Sequence, residues 1–145
     1  MRRLVFAGAI VLAGCSGSPG PKMAELAELP ANLPVRTLWQ ASVGDEGDAI
    51  FFPALAVGGV YAAAQDGTVA RFDATSGRES WRVNAGHALS AGVGSDGALV
   101  AVGTLEGEVI TLDAASGKVR WRARVSSEVL SAPVVTGDLV IVRSA

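Results

Sequence analysis

Short segments in which apolar and polar residues alternate fill the chain from residue 36 onward. The clearest is segment 119–125, where Trp121, Ala123 and Val125 alternate with Arg120, Arg122 and Arg124. A period of two predicts a β-strand with one buried face. Because charges on the exposed face disfavour pairing with another chain, we interpret this strand as the outer edge of a sheet. By contrast, Leu99–Val102 is apolar on both faces, which predicts a strand covered on both sides.

The alternating segments belong to a repeat of about forty residues. The segment Asp73-Ala-Thr-Ser-Gly77 is followed four residues later by Trp81. Asp113-Ala-Ala-Ser-Gly117 is followed at the same distance by Trp121, and Trp39 falls in the same register one copy earlier. The start of each copy also matches, with three aligned blocks: Phe52-Pro53-Ala54, Leu89-Ser90-Ala91 and Leu130-Ser131-Ala132-Pro133.

Each copy predicts four short strands. In the first copy, turn signals at Gly58-Gly59 and Asp66-Gly67 separate strands at 54–57, 60–65, 68–73 and 79–85. The second copy repeats the pattern with strands at 91–94, 98–104, 108–113 and 119–125. Four antiparallel strands per repeat are typical of a β-propeller blade, so the predicted fold class is all-β. The blade boundaries are blade 1 at 50–86, blade 2 at 89–126 and the start of blade 3 at 130–145.

Segment 36–44 carries Trp39 and has the pattern of a fourth strand without its first three. In a closed propeller such a strand completes the final blade, so we predict that it closes the ring. About two and a half blades cannot close a ring, since propellers use about four to eight. We therefore expect the sequence to be part of a longer protein. Apolar strands exposed at an open ring would reduce its solubility.

The first 35 residues predict export and anchoring rather than a folded domain. Met1-Arg2-Arg3 is positively charged, and the apolar run 4–13 is shorter than the about 20 residues that span a bilayer. Leu12-Ala13-Gly14-Cys15 resembles the bacterial lipobox, which implies a leader at 1–14 and a lipid anchor on Cys15. Residues 15–35 contain four of the six prolines and predict an extended tether. Ser16 stands where an Asp would resemble an inner-membrane retention signal, so we expect the periplasmic face of the outer membrane.

Composition and isolated polar residues point away from catalysis. A net charge of −2 offers no basic surface for nucleic acid, and a single Cys excludes a disulfide framework and a Cys-based zinc site. Asp73 and Asp113 each precede a tight turn, where a carboxylate caps backbone amides. His87 is interpreted as a surface-loop residue, and the tryptophans as inter-blade packing residues. For Arg120, Arg122 and Arg124 we favour edge protection, with a basic patch for an acidic partner as the alternative.

The unit D-A-x-S-G-x-x-x-W resembles the repeat of the quinoprotein-type propeller family, which implies eight blades in the complete ring. The lipobox, the Pro-rich tether, Thr37-Leu38-Trp39 and Ser131–Val135 occur in the order that most resembles its non-enzymatic members, the lipoprotein subunits of the outer-membrane β-barrel assembly machinery. That resemblance implies a scaffold without catalytic residues, cofactor or metal. Its implied partners are the barrel-inserting subunit and unfolded outer-membrane protein clients.

Two alternatives stay open at this point. The chain could be the N-terminal part of a pyrroloquinoline-quinone-dependent dehydrogenase, whose members add a calcium-bound quinone and an Asp base in the central channel. It could also be a lipoprotein that binds a small ligand at the propeller mouth, because fold alone does not decide function.

Overall fold

Antiparallel sheets make up the computed structural model, which describes residues 34–45 and 47–145. In this part of the chain, ten strands form two four-stranded sheets and one two-stranded sheet. The first sheet contains β1 (Ala54–Ala56), β2 (Gly59–Ala63), β3 (Thr68–Asp73) and β4 (Glu79–Asn84). The second contains β5 (Gly94–Ser95), β6 (Leu99–Gly103), β7 (Glu108–Asp113) and β8 (Val119–Arg124). The third pairs β9 (Val134–Thr136) with β10 (Leu139–Ile141).

Each four-stranded sheet has its strands in chain order, so the predicted all-β fold of propeller blades is confirmed. Strands β3 and β7 have the predicted bounds, whereas the other predicted strands are shorter or shifted by one to three residues. The predicted turn at Gly58-Gly59 is wrong. Ala56 pairs with Gly59, so Val57 and Gly58 form the turn, with φ angles of +44° and +68°. Positive φ at both positions is the geometry of a tight hairpin whose twist matches its strands, and here Val57 adopts it despite its branched side chain.

The predicted alignment of the copies at their first block is also wrong. Gly94 lies opposite Ala101 and Val134 lies opposite Ile141, so the second and third copies are offset by forty residues. Leu89 and Val129 are both buried, so Val129 is the counterpart of Leu89, and Leu130 is exposed. Pairing within the sheets corrects the first copy in the same way. Ala54 lies opposite Tyr61 as Gly94 lies opposite Ala101, which aligns Ala54 with Gly94 rather than with Ala91.

The core lies between the two complete blades. Val100, Val102, Ile110 and Leu112 are fully buried, and Tyr61 packs against this group from blade 1. Strands β6 and β7 are therefore buried on both faces, as their sequence predicts. Every residue of β8 is exposed, which confirms that the fourth strand forms the outer edge of its blade.

Segment 36–44 contains no residue assigned to a strand, and its role in closing a ring stays a prediction. The leader at 1–14, the anchor Cys15 and the tether up to residue 33 lie outside the described residues. Over residues 34–45 and 47–145, the structure contains no helix with the length and apolarity to cross a membrane.

Candidate binding surfaces

The tryptophans of the repeat join each outer strand to the next blade. The indole N–H of Trp81, on β4, donates to the Ala114 carbonyl of blade 2 at 3.0 Å. Its ring lies against Gly117, where an added Cβ would come within 2.8 Å of ring carbon Cε3. Trp39 makes the same contacts one blade earlier, with a 3.0 Å hydrogen bond to the Ala74 carbonyl. The predicted inter-blade packing is thereby confirmed, and we call each such contact a blade joint.

Trp121 shows what a blade joint looks like without the following turn. It lies on β8 in the register of Trp81, but 41% of its surface is exposed. Within residues 34–45 and 47–145 no third turn of the D-A-x-S-G type follows it.

Asp73 and Asp113 cap the turns that complete the joints. Asp73 Oδ1 accepts hydrogen bonds from the Ser76 amide at 2.8 Å and the Ser76 hydroxyl at 2.7 Å. Asp113 Oδ1 does the same with Ser116, at 2.9 and 2.8 Å. The hydrogen bond from the Ser116 hydroxyl, and to a lesser extent the one from Arg120, lowers the pKa of Asp113 to about 2. The hydrogen bond from the Ser76 hydroxyl lowers the pKa of Asp73 in the same way. The predicted capping role is thus confirmed for both.

The three arginines of β8 do different things. Arg120 forms an ion pair with Asp113 at 2.6 Å. The Arg122 guanidinium donates to the Ala85 carbonyl of the preceding blade at 2.7 Å and lies 3.3 Å from Oε2 of Glu108, on β7 of its own blade. Within the described part of the chain, Arg124 alone of the three forms no ion pair. A basic patch for an acidic partner would therefore have to compete with contacts that Arg120 and Arg122 already make.

Arg82, which precedes Arg122 by one repeat, makes the equivalent contact. Its guanidinium donates to the carbonyls of Ser42, at 2.8 Å, and Val43. Sequence reasoning missed this arginine clamp, because edge protection already explained charges on an outer strand. The signal that could have found it is the recurrence of arginine directly after the tryptophan in both copies.

His87 lies in the exposed loop after β4, as predicted, with Nε2 3.4 Å from Glu108 Oε2. Among the residues that the structure describes, no group of three or more His, Cys, Asp or Glu side chains could hold a metal ion. The residues singled out from the sequence are thus spread along turns and edges and do not converge on one site.

A cleft of about 590 Å³ was not predicted from the sequence. Its walls carry four exposed apolar side chains, Ile50, Phe52, Leu105 and Leu130. Its floor includes the buried small residues Ala91 and Gly92. Five separate segments contribute to it, so no continuous sequence pattern could have shown it. We call this feature the apolar cleft.

Comparison with known proteins gives a consistent family match. The family model described as "Outer membrane protein assembly factor BamB" matches residues 65–145. The outer membrane protein assembly factor BamB of Bordetella pertussis is 44% identical over 145 residues, which cover 97% of this chain and 37% of that protein. The chain spans between 29% and 37% of the length of the first three curated relatives it matches.

Solved structures resemble the chain in fold. BamB from Moraxella catarrhalis matches with a TM-score of 0.62 and 30% identity, covering 75% of this chain and 33% of that one. A quinohemoprotein alcohol dehydrogenase from Comamonas testosteroni matches with a TM-score of 0.55 and 24% identity, covering 68% and 17%. At that identity the second likeness is one of fold alone.

Proposed function

The chain belongs to the family of the outer membrane protein assembly factor BamB, and we propose that it acts as a non-catalytic scaffold of the outer-membrane β-barrel assembly complex. In this role it binds the barrel-inserting subunit and aids the folding and insertion of outer-membrane proteins. The observation that carries the proposal is the family match over residues 65–145, which include all of blade 2 and the start of blade 3.

The arrangement of the blades supports a scaffold. The blade joints at Trp39 and Trp81 and the arginine clamps at Arg82 and Arg122 fix each outer strand to its neighbour. Such joints hold the loops and short strand edges of the blades in one conformation. A partner's strand or loop can therefore bind without the entropy loss of ordering these segments of the scaffold.

A non-catalytic role is supported by the carboxylates of the repeat. Oδ1 of Asp73 and of Asp113 is occupied by turn amides and serine hydroxyls, and the pKa of each is lowered. A general base at neutral pH is better served by a pKa near the working pH. These two side chains therefore suit capping and suit proton abstraction poorly.

The proposal places the protein at the periplasmic face of the outer membrane, held by acyl chains on Cys15. Several chains on one residue provide the multiple signals that stable anchoring requires. Residues 15–35 would then act as the tether between the membrane and the first blade.

Capture of the tagged protein from its own cells tests this function. The protein, expressed from its own gene, is purified from detergent-solubilised outer membranes, and bound proteins are identified by mass spectrometry against an untagged strain. We expect enrichment of the barrel-assembly subunits. Absence of those subunits, together with bound quinone and quinone-dependent alcohol oxidation, would contradict the proposal and favour a dehydrogenase.

A matched variant tests the anchor separately. Cys15→Ser removes the thiol whose acylation would precede cleavage, so we expect the variant to lose the mass of the acyl chains and to keep its leader. Leader cleavage is read from the mass of the mature protein. A Cys15→Ser protein that stays in the membrane fraction with its mass unchanged would overturn the anchor while leaving the scaffold role to the capture experiment.

A further inference from the structure

The apolar cleft lies at one end of the blades. The turns that contribute Gln65 and Leu105 each join the second strand of a blade to its third. The other lining segments, which include Ile50, Ser90 and Leu130, each lead into the first strand of a blade. Because neighbouring strands are antiparallel, all of these segments meet at the same end of the sheets.

The shape of the cleft suits a large apolar side chain. Ala91 and Gly92 form the floor, and their small size leaves room above it. The Gly92 backbone lies so close to Phe52 that an added Cβ would be 2.6 Å from the Phe52 carbonyl oxygen. Four apolar walls surround this space, and Ile50 and Phe52 are 73% and 68% exposed. The volume falls within the range of about 300–1,000 Å³ that is typical of binding clefts.

Exposed walls favour a polypeptide over a small molecule as the occupant. A small ligand is usually held with about 70–90% or more of its surface buried, which walls as open as these provide poorly. A side chain that enters from a polypeptide brings its own backbone and neighbouring residues to cover the walls. Apolar anchors in such clefts carry much of the energy of protein–protein binding.

The charged residues around the cleft determine which residue types next to the bound apolar side chain would be favoured. Asp48 is the only charged residue among the described residues of the lining. Asp66 and Glu106 directly follow the lining residues of the two turns, and Glu128 lies two residues before Leu130. The Thr68 hydroxyl and amide lower the pKa of Asp66, and the Ser127 hydroxyl lowers that of Glu128, so both carboxylates are charged at neutral pH.

Cations at this end of the sheets lie elsewhere. Arg124 is paired opposite Glu108 in the β7–β8 ladder, and Arg143 follows β10 by two residues. Neither belongs to the described lining of the cleft. Asp48 lines the cleft, and Asp45 and Asp66 line a neighbouring pocket that shares Gln65 with it, so this acidic rim complements a positively charged segment.

We propose that the apolar cleft binds an extended segment of a partner polypeptide in which a large apolar side chain stands next to Lys or Arg. The apolar side chain fills the space between Ile50, Phe52, Leu105 and Leu130, and the cations face the acidic rim. This proposal concerns binding at one cleft and stands independently of membership in the assembly complex.

Three labelled synthetic peptides of equal length test the proposal by fluorescence anisotropy with the purified protein. The first alternates Phe and Leu with Lys, the second has Glu in place of Lys, and the third has Ser in place of Phe and Leu. We expect the first peptide to bind more tightly than both others, and its affinity to fall as salt is raised. Equal binding of the Lys and Glu peptides, or of the Phe-Leu and Ser peptides, would overturn the proposal.

Matched variants show whether binding occurs in the cleft. Ile50 and Leu55 are both 73% exposed, but only Ile50 lines the cleft. We expect Ile50→Asp to weaken binding of the first peptide by about tenfold, and Leu55→Asp to leave it unchanged. Asp48→Lys should weaken binding severalfold at low salt and less at high salt.

All three substitutions are at exposed positions, so circular dichroism should show the fold of the unsubstituted protein. If Ile50→Asp and Leu55→Asp bind the peptide equally well, or are weakened equally, the cleft is not the binding site. Because the assay uses purified protein and synthetic peptides, its failure is distinguishable from failure of the capture experiment.

Discussion

Blades 1 and 2 share four strands, the same turn chemistry and the same outer tryptophan, yet they are buried to different degrees. In blade 2, eight of the eleven residues of β6 and β7 are buried, whereas in blade 1 six of the eleven residues of β2 and β3 are buried. Blade 2 has blade 1 on one side and β9 in contact with β5 and β6 on the other. Among the described residues, the Trp39 segment lies against the β3–β4 turn of blade 1. In the part of the chain that the structure describes, the burial of a strand therefore follows from whether another blade or strand covers each of its faces.

One equivalent pair of positions shows the consequence. Arg71 and Thr111 lie opposite the tryptophans of their blades. Thr111 is fully buried, and its hydroxyl donates to the Trp121 carbonyl at 3.1 Å. Arg71 is only partly buried, and its guanidinium lies 5.8 Å from the ring centre of Tyr61. The Arg71 Nε is buried without a hydrogen-bond partner among the described residues, whereas the Thr111 hydroxyl at the equivalent position has one.

The largest expected effect compares a complete blade joint with an open one. Trp81→Ala removes a ring packed on blade 2 and leaves the Ala114 carbonyl without its donor, so it should lower the free energy of unfolding by about 3 kcal/mol. Trp121→Ala removes a ring that is 41% exposed and should cost about 1 kcal/mol or less. Urea denaturation of the 145-residue chain measures both. If both variants lost the same free energy of unfolding, the contact of Trp81 with blade 2 would contribute no stability beyond that of a tryptophan packed on its own blade.

A glycine pair separates close packing from backbone strain. Gly117 and Gly58 both have positive φ, at +71° and +68°, but only Gly117 lies against a tryptophan ring. Gly58→Ala should cost about 1 kcal/mol, because an alanine is strained at positive φ. Gly117→Ala should cost about 2–3 kcal/mol, because its Cβ would also press on Trp81. The difference in denaturation midpoint between the two variants measures the contact of Gly117 with Trp81. Equal midpoints would contradict a tightly packed joint.

The arginine clamp should contribute less. Arg122→Met keeps most of the aliphatic stem but removes the donor to the Ala85 carbonyl, so it should cost about 1 kcal/mol. Arg124→Met, two residues away on the same exposed face, should change the free energy of unfolding by less than about 0.5 kcal/mol. If the two variants lost the same stability, the effect would come from general charge on β8 rather than from the clamp.

The smallest effect concerns the acid side of the stability profile. The pKa of Asp113 is about 2 in the folded protein against an ordinary value of 3.8, so its ionised form stabilises the fold above pH 4. That contribution is lost as pH falls from about 4 towards about 2. Asp113→Asn should therefore lower stability at neutral pH and flatten the fall between pH 4 and pH 2.

The matched control for this pH measurement is Asp138→Asn, in the β9–β10 turn. Its exposed side chain makes no hydrogen bond within the described part of the chain. This variant should follow the unsubstituted profile when the denaturation midpoint is measured across the same pH range. If the pH dependence of stability of Asp113→Asn also matched that of the unsubstituted protein, ionised Asp113 would not stabilise the fold by capping its turn.

The sequence could predict the strands whose two ends are set by turn chemistry. Asp66-Gly67 and the capped Asp73 turn fix β3, and their counterparts fix β7, so both strands were predicted with their observed bounds. The first turn of blade 1 was misplaced because Val57, rather than a second glycine, adopts positive φ.

Other features depend on how the fold brings separate segments together. Leu130-Ser131-Ala132 repeats the residue types of Leu89-Ser90-Ala91, which led to the wrong alignment; burial of Val129 rather than Leu130 corrects it. The apolar cleft and the arginine clamps join segments that are far apart in sequence, from residue 42 at one end to Leu130 at the other. Period and turn signals describe each strand by itself, and therefore carry no information on such contacts.

Amide hydrogen exchange, followed by mass spectrometry, tests most directly whether neighbouring blades stabilise one another into a rigid scaffold. We expect the slowest exchange in β6 and β7, which have blades or strands on both sides, and faster exchange in β2 and β3 despite their equivalent hydrogen bonding. Trp81→Ala should speed exchange in β7 as well as in β4. Equal protection of the two blades, with β7 unaffected by that substitution, would contradict the account.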